Sequence, residues 1–128
     1  MNEQATVNTS GQGKDAIVPP EAQFYNYGAA LFGYFWLFTN GLVSKDIFDE
    51  VRKNEGISFG RRFVRGLGSK GNVIAWKYKH WDSVQSFIKT QKRWSMFGRL
   101  LTGALLVAMS LLILWFIIAL VEIIMKGK

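Results

Sequence analysis

The sequence has no cysteine, a single histidine and few acidic residues. Of its 128 residues, 9 are Asp or Glu, 2 are Pro and His80 is the one imidazole. Without cysteine the chain forms no disulfide, thiolate–metal bond or thiol nucleophile, and one imidazole excludes any site that needs two. The length allows one small domain. We therefore expect a non-enzymatic protein with no metal site, no cofactor and no catalytic residue.

A long apolar run lies at the C-terminus. From Leu100 to Val121 every residue is apolar or small except Thr102 and Ser110, whose hydroxyls can bond to carbonyls of their own helix. About 22 residues span roughly 33 Å as a helix, which matches a hydrocarbon core of about 30 Å. The run predicts a transmembrane helix over residues 100–125, with Glu122 near its end, where it can reach the interface beside Lys126.

A second apolar segment, residues 23–43, is rich in aromatic rings. Its apolar part, Tyr27–Val43, reaches only about 26 Å as a helix, at the lower limit for spanning. Asn40 and the glycines at 28, 33 and 41 oppose insertion, whereas the Tyr and Trp rings are typical of the membrane interface. We predict one short membrane-embedded helix that is re-entrant, interfacial or a short span.

The N-terminal segment, residues 1–22, is polar and ends in Pro19-Pro20. Such a composition buries too little apolar surface to fold alone. We predict that this segment is a disordered tail.

The middle of the chain, residues 44–99, is strongly basic. It holds 13 of the 16 basic residues and five acidic ones, a net charge of +8. A short basic loop beside a membrane is retained in the cytoplasm, so we predict a cytoplasmic middle and an external C-terminus. The N-terminus is outside if the aromatic segment spans, and inside if that segment is re-entrant.

Helical patterns recur through this middle region. Ser44 can cap a short helix, with apolar Ile47, Phe48 and Val51 on one face. The glycines of residues 66–71 then break the chain. A longer amphipathic helix follows from Val73, and it can continue into the C-terminal run with a bend at Gly98. Its apolar stripe consists of Ile74, Tyr78, Trp81, Val84, Ile88 and Gln91.

Residues 66–71 (GLGSKG) match the Gly-x-Gly-x-x-Gly dinucleotide fingerprint. The context fails, because no clear apolar strand precedes the motif and no acidic residue lies about 20 positions on. A flexible turn between helices is the preferred interpretation. Its amides and Lys70 could contact a lipid phosphate.

Basic and aromatic residues alternate along the middle region. They fit an interfacial helix on anionic lipid or the acidic face of a protein partner, whereas nucleic-acid binding is not expected because membrane topology already explains the charge. The predicted lipid or partner contacts are Arg61, Arg62, Arg65, Lys70, Trp76, Lys77, Lys79, Trp81, Lys89, Lys92, Arg93 and Trp94.

One segment combines four short elements, which are Phe24–Tyr27, Ala29–Gly33, Trp36-Leu37 and Asn40–Leu42. With these elements the segment Phe24–Leu42 resembles a family of small bacterial inner-membrane proteins of unknown function. The shared element has an Asn amid aromatics, then small and apolar residues, Phe-Gly, Trp-Leu and Asn-Gly-Leu. Tyr34 stands where such proteins usually carry Pro. The resemblance implies a bacterial inner-membrane location and no known enzymatic activity.

Together these patterns predict an all-α, small integral membrane protein. It has one C-terminal transmembrane helix, one short embedded or re-entrant helix, and amphipathic interfacial helices between them. We expect an accessory or structural component of an inner-membrane assembly, with anionic lipid headgroups and other membrane proteins as partners. The alternatives are an anionic-lipid-binding or membrane-shaping protein and a transporter or channel component that uses Asn40, His80 or Glu122.

Overall fold

The computed structural model describes the backbone of residues 7–55 and 61–127 and the side chains of residues 7–53 and 66–127. These ranges contain five α-helices, two short 3₁₀ turns and no β-strand. The predicted all-α class, with a long apolar C-terminal helix after shorter ones, is confirmed. The helices are α1 (Tyr27–Phe32), α2 (Tyr34–Thr39), α3 (Lys45–Glu55), α4 (Arg61–Tyr78) and α5 (Val84–Lys126).

The chain divides into two compact units, Met1–Gly98 and Arg99–Lys128. We refer to them as the N-terminal and C-terminal units. The start of α5 belongs to the first unit and the rest of this helix to the second.

The C-terminal unit is an exposed apolar helix. Its large apolar side chains from Leu105 to Met125 are between 48% and 69% exposed, and the most apolar window of α5 has a mean hydropathy of 3.0. Within the described residues, α5 is the one helix long and apolar enough to cross a membrane.

Three polar side chains of this unit, Ser110, Glu122 and Lys126, interact within the helix. The Ser110 hydroxyl donates to the Leu106 carbonyl at 2.8 Å, which confirms the predicted internal hydrogen bond. Lys126 Nζ lies 3.9 Å from Glu122 Oε2, and both side chains are largely exposed. Glu122 therefore lies beside Lys126, as the sequence predicts.

The aromatic segment forms two six-residue helices rather than the one short helix that we predicted. Asn26 caps α1, because its side chain accepts a hydrogen bond from the Ala29 N–H at 2.9 Å. Gly33 separates α1 from α2 with φ 49° and ψ −110°, a conformation that residues with a Cβ adopt only at a cost. The glycine therefore turns the chain sharply between the two helices.

A Schellman motif closes α2. The Leu42 N–H donates to the Leu37 carbonyl at 2.9 Å and the Gly41 N–H to the Phe38 carbonyl at 3.0 Å. Gly41 supplies the positive φ of 71° that this motif requires. Leu37 and Leu42 are both buried, so the motif directs the chain back into the core.

The predicted start of α3 is confirmed. Ser44 accepts a hydrogen bond from the Ile47 N–H through its hydroxyl, at 3.3 Å, and from the Phe48 N–H through its carbonyl. Val51 is buried, and Ile47 and Phe48 are half-buried. One face of α3 therefore lies against the core, as the sequence predicts.

Helix α4 runs unbroken through residues 66–71, so the predicted flexible turn is wrong. The glycines there permit close packing instead. The Asn26 N–H donates to the Gly68 carbonyl at 2.8 Å, and a Cβ on Gly71 would lie 2.9 Å from the Ala29 Cβ. Because only hydrogen fits at these positions, α1 and the residues before it lie close against α4.

The predicted helix from Val73 is wrong where residues 79–83 separate α4 from α5, whereas its predicted continuation into the C-terminal run is confirmed, because α5 extends unbroken from Val84 to Lys126. Trp81 stabilises this break through its indole N–H, which donates to the Ala75 carbonyl at 2.9 Å. Ser83 then caps α5 by accepting from the Ser86 N–H at 3.1 Å. These local hydrogen bonds therefore interrupt the helix, although the apolar periodicity of the sequence continues through residues 79–83.

The part of the N-terminal segment that the structure describes, residues 7–22, is ordered, which corrects the predicted disorder. The Gly11 N–H donates to the Trp76 carbonyl at 2.9 Å, and the Trp76 indole N–H donates to the Ile17 carbonyl at 2.9 Å. The last carbonyls of a helix lack partners within it, and this segment supplies one. We call residues 8–18 the strap. Residues 1–6 lie outside the described residues.

The core of the N-terminal unit contains large rings and aliphatic side chains. Trp76 and Phe87 meet edge to face with centroids 5.2 Å apart, and Trp81 and Phe87 do so at 5.0 Å. Trp36 and Leu67 are fully buried. Residues from the aromatic segment, α4 and the start of α5 therefore share one core.

Candidate functional site

Four buried side-chain amides form one hydrogen-bonded network in the N-terminal unit. The Asn26 amide donates to Asn72 Oδ1 at 2.8 Å and to Gln91 Oε1 at 2.9 Å. Gln91 Nε2 in turn donates to Asn40 Oδ1 at 2.9 Å. None of the four is more than 2% exposed. Because an unpartnered buried polar group costs about 1–3 kcal/mol, the network holds together the four elements that carry it.

Backbone groups fix how each amide is oriented at one end of this network. Asn26 Oδ1 accepts from the backbone of α1, so the Asn26 amide nitrogen must face the other side chains. Asn72 donates both of its N–H groups to carbonyls, those of Ala22 and Phe24, each at 3.1 Å. Its oxygen is therefore left to accept from Asn26.

The other end is fixed in the same way. Asn40 Nδ2 donates to the Trp36 carbonyl at 2.8 Å, so its oxygen faces Gln91. Gln91 Oε1 is already directed to Asn26, which leaves Gln91 Nε2 for Asn40. Every amide therefore has a single orientation that satisfies all of its neighbours.

A groove of about 330 Å³ opens on the surface of the N-terminal unit. One wall is a face of α5 whose lining residues are spaced three to four positions apart. The other wall is the corner between α1 and α2 around Gly33. Its volume is at the lower end of the range of small-molecule sites, about 300–1,000 Å³. The lining residues are Phe32, Phe35, Thr90, Arg93, Trp94 and Phe97.

Four aromatic rings form the apolar surface of this groove. Phe32 stacks on Phe97 with centroids 5.6 Å apart and planes 14° from parallel. Phe32 and Phe35 each meet Trp94 edge to face, at 5.8 and 6.3 Å. Phe35 and Phe97 remain 58% and 55% exposed, so the groove presents a large apolar surface.

Among the residues that the structure describes, Arg93 is the one charged residue that lines the groove. It is exposed, and no acidic side chain in the described part of the chain forms an ion pair with it. Thr90, one turn earlier on α5, adds a hydroxyl. The groove therefore combines an apolar floor with one available cation and one neutral polar group.

Two of the predicted contact residues cannot touch lipid or a partner. Trp76 is fully buried and Trp81 is 8% exposed, because both rings pack on Phe87 in the core. Their indole N–H groups bond to backbone carbonyls of the strap and of α4. The prediction is corrected for these two tryptophans. Trp94, by contrast, is half-buried and lines the groove.

The predicted basic contacts are spread over several surfaces. Lys70, Lys89, Lys92 and Arg93 are exposed, and Lys77 and Lys79 are half-buried. Lys79 Nζ lies 4.5 Å from the centre of the Trp81 ring, in a cation–π contact. The side chains of Arg61, Arg62 and Arg65 lie outside the described residues.

Sequence reasoning missed most of this arrangement. Asn72 carried no signal of its own, and Gln91 was assigned to an apolar stripe. The available signal for the network was Gln91 itself, because its amide occupies a position at which the periodicity predicts an apolar side chain. Phe32, Phe35, Thr90 and Phe97 were not predicted as lining residues, because the groove forms only when α2 meets α5.

The described residues hold no group of three His, Cys, Asp or Glu side chains that could bind a metal ion. Comparison of the chain with protein-family models, with characterised proteins and with solved structures finds no match. The resemblance of Phe24–Leu42 to bacterial inner-membrane proteins therefore stays a prediction.

Proposed function

We propose that this chain is a non-enzymatic integral membrane protein that serves as an accessory or structural component of an inner-membrane assembly. The observation that carries the proposal is the exposed apolar helix of the C-terminal unit. About 14 of its Leu, Ile, Val and Phe residues favour insertion by roughly 4 to 8 kcal/mol in total. The same surface in water would be a large exposed apolar patch.

The surface of α1 and α2 supports membrane contact as well. Leu31, Tyr34, Phe35 and Phe38 are between 38% and 67% exposed. These side chains fit an embedded or interfacial α1–α2 corner. These four side chains are therefore the ones of residues 23–43 that we propose contact the membrane.

The interior of the N-terminal unit supports a structural role. Its four networked polar side chains are amides, which do not ionise near neutral pH, and their bonds serve one another and the backbone. Such a network favours a unique packing arrangement. We infer a rigid platform for binding rather than a reactive centre.

Membrane extraction tests the anchor. Wild-type protein should stay in the membrane pellet after alkaline carbonate. Ile113→Arg with Leu114→Arg should move the chain to the supernatant, because each central arginine opposes insertion by about 2.5–3.5 kcal/mol. The matched control, Gln12→Arg with Gln85→Arg at exposed positions, should stay in the pellet. Wild-type protein in the supernatant would refute the proposal.

Cysteine labelling tests the proposed orientation, with the basic middle inside and the C-terminus outside. The chain has no cysteine, so Ser69→Cys and Gly127→Cys each introduce a single thiol at an exposed site. An impermeant maleimide should label Gly127→Cys in intact spheroplasts and Ser69→Cys only after lysis. The reverse pattern would overturn the orientation.

The accessory role requires a partner. The full chain, purified in mild detergent, should carry another membrane protein at a fixed ratio. Recovery of the chain alone as a monodisperse species would count against this role while leaving the membrane anchor intact.

A second candidate function, binding of anionic lipid, is favoured by the basic face of α5. Lys89, Lys92 and Arg93 are exposed and form no ion pair with a described acidic side chain. Attraction to an anionic surface is worth about 1 kcal/mol per basic residue. The N-terminal unit should therefore unfold at a higher temperature in phosphatidylglycerol nanodiscs than in phosphatidylcholine nanodiscs.

The control for this function changes the same number of charges elsewhere. Replacing Lys89, Lys92 and Arg93 with Gln should abolish the difference between the lipids. Replacing Lys45, Arg52 and Lys53 on α3 with Gln should preserve it. Equal unfolding temperatures of the wild type in both lipids would reject lipid binding.

A further inference from the structure

We propose that the groove between the α1–α2 corner and α5 binds one anionic phospholipid, with an acyl chain along its rings and the phosphate at Arg93. The inference rests on the proposed membrane location and makes it specific to one site. It goes beyond a general attraction of basic residues to a lipid surface.

The chemistry of the groove matches an amphiphile. Phe32, Phe35 and Phe97 offer an apolar surface that is partly exposed in the folded chain. Exposed aromatic surface is stabilised by contact with methylene groups. An acyl chain meets this need without any directional hydrogen bond, which the rings could not provide.

The charge of the groove selects the sign of the headgroup. Arg93 is its one charged lining residue and has no ionic partner among the described residues. A guanidinium binds phosphate oxygens in a bidentate manner. The Thr90 hydroxyl, on the same face of α5, can donate to a further headgroup oxygen.

The position of these residues in the sequence fits a headgroup site. Thr90, Arg93 and Phe97 precede the apolar run that starts at Leu100. Basic and aromatic residues that flank a transmembrane helix lie at the level of the headgroups. We therefore expect Thr90, Arg93 and Phe97 to lie at the level of the lipid headgroups, where a phospholipid can reach them.

Trp94 provides a direct readout, because it lines the groove and is half-buried. The experiment uses the full chain with the substitution Trp115→Phe, which removes the indole within the apolar run. Of the other tryptophans, Trp36, Trp76 and Trp81 are buried, so Trp94 is the indole that a lipid in the groove would contact. The protein is held in mild detergent, and phosphatidylglycerol with brominated acyl chains is added at a low mole fraction. Bromine quenches an indole that it touches.

We expect saturable quenching by brominated phosphatidylglycerol and weaker quenching by brominated phosphatidylcholine. Trp94→Phe on this background should remove the saturable part. Arg93→Gln should raise the half-saturating mole fraction of phosphatidylglycerol about fivefold, the effect of one basic residue near anionic lipid. Arg93→Lys should recover part of the loss, because it restores the charge without the fork.

Matched controls separate the groove from the rest of the surface. Lys92→Gln removes a neighbouring exposed charge that does not line the groove, and it should leave the half-saturation point unchanged. Phe35→Ser should weaken quenching by both lipids, whereas Phe38→Ser, on the same helix but outside the groove, should not. Equal effects of Arg93→Gln and Lys92→Gln would overturn the proposal in favour of surface charge alone.

The remaining outcomes are also decisive. If the quenching is absent while the Trp115→Phe chain still resists carbonate extraction, the lipid site is refuted and the membrane location stands. If that chain is extracted by carbonate, the membrane location itself fails. If Phe35→Ser converts a dimer to a monomer and leaves lipid quenching unchanged, the groove binds a second copy of the chain and the proposal is refuted.

Discussion

The amide nitrogen of Asn26 donates to Gln91 Oε1 at 2.9 Å, although 65 positions separate the two residues. Asn26 also caps α1, so one side chain both starts a helix and joins it to α5. Loss of this contact affects local and tertiary structure together. The N-terminal unit should therefore be sensitive to single substitutions within the network.

Gln91→Leu should destabilise the N-terminal unit by roughly 2–6 kcal/mol. The change leaves one side-chain N–H of Asn26 and the side-chain oxygen Oδ1 of Asn40 buried without partners. Each unpartnered group costs about 1–3 kcal/mol. Urea unfolding in detergent, followed by near-ultraviolet circular dichroism, measures the difference. Gln85→Leu, on the exposed side of the same helix, should stay within about 0.5 kcal/mol of wild type. Equal stability of Gln91→Leu and wild type would show that the network contributes nothing.

Asn26→Asp should be more damaging than Asn26→Ser. Asp keeps the acceptor for the Ala29 N–H but places a buried charge opposite the oxygens of Asn72 and Gln91. Both variants leave Asn72 Oδ1 and Gln91 Oε1 without their donor. Asp adds an uncompensated buried charge, which costs about 3–5 kcal/mol, whereas Ser preserves the cap and adds no charge. The same unfolding assay compares the two variants. A milder effect of Asp than of Ser would contradict the assigned amide orientations.

Gly98→Ala should destabilise the N-terminal unit, whereas Gly103→Ala should not. A Cβ on Gly98 would lie 2.5 Å from the backbone nitrogen of Gly28, and one on Gly103 would meet nothing within 4 Å. Overpacking of this kind costs about 1–3 kcal/mol. Both glycines lie in α5, so the change to alanine raises the helix propensity equally in the two variants. Hydrogen exchange of α1 amides should rise only in Gly98→Ala; equal exchange in both variants would show that α1 does not abut α5 there.

Gly11→Ala should release the strap from the end of α4. Gly11 and Gly13 both have positive φ, 81° and 64°, so alanine is strained at either position. Only at Gly11 does the Cβ also come within 2.9 Å of the His80 backbone nitrogen. Limited trypsin digestion at Lys14 should therefore be fastest in Gly11→Ala and intermediate in Gly13→Ala. Equal rates would mean that the contact with His80 contributes nothing.

The parts of the structure that sequence reasoning predicted depend on neighbouring residues alone. The length and apolarity of the run from Leu100 determine a helix without reference to any other segment. The Ser44 cap and the hydrogen bond of Ser110 involve positions three or four apart, which a sequence pattern displays directly.

The parts that it missed depend on distant contacts. The apolar stripe continues through Trp81, so periodicity alone could not reveal that Trp81 bonds to the end of α4 and breaks the helix. The strap has the composition of a disordered segment because it contributes hydrogen bonds rather than apolar area. The glycines of α4 weaken an isolated helix, yet here their missing side chains let α1 pack closely.

Helix α5 has a double role that bears on how the protein can be divided. Phe87, Gln91 and Gly98 belong to the folded interior of residues 7–98, although they lie in the helix whose later residues could cross a bilayer. Cutting the chain where this helix begins would remove a wall of the interior along with the hydrophobic tail. A truncated chain that keeps its fold must therefore end beyond Gly98, several turns inside the helix.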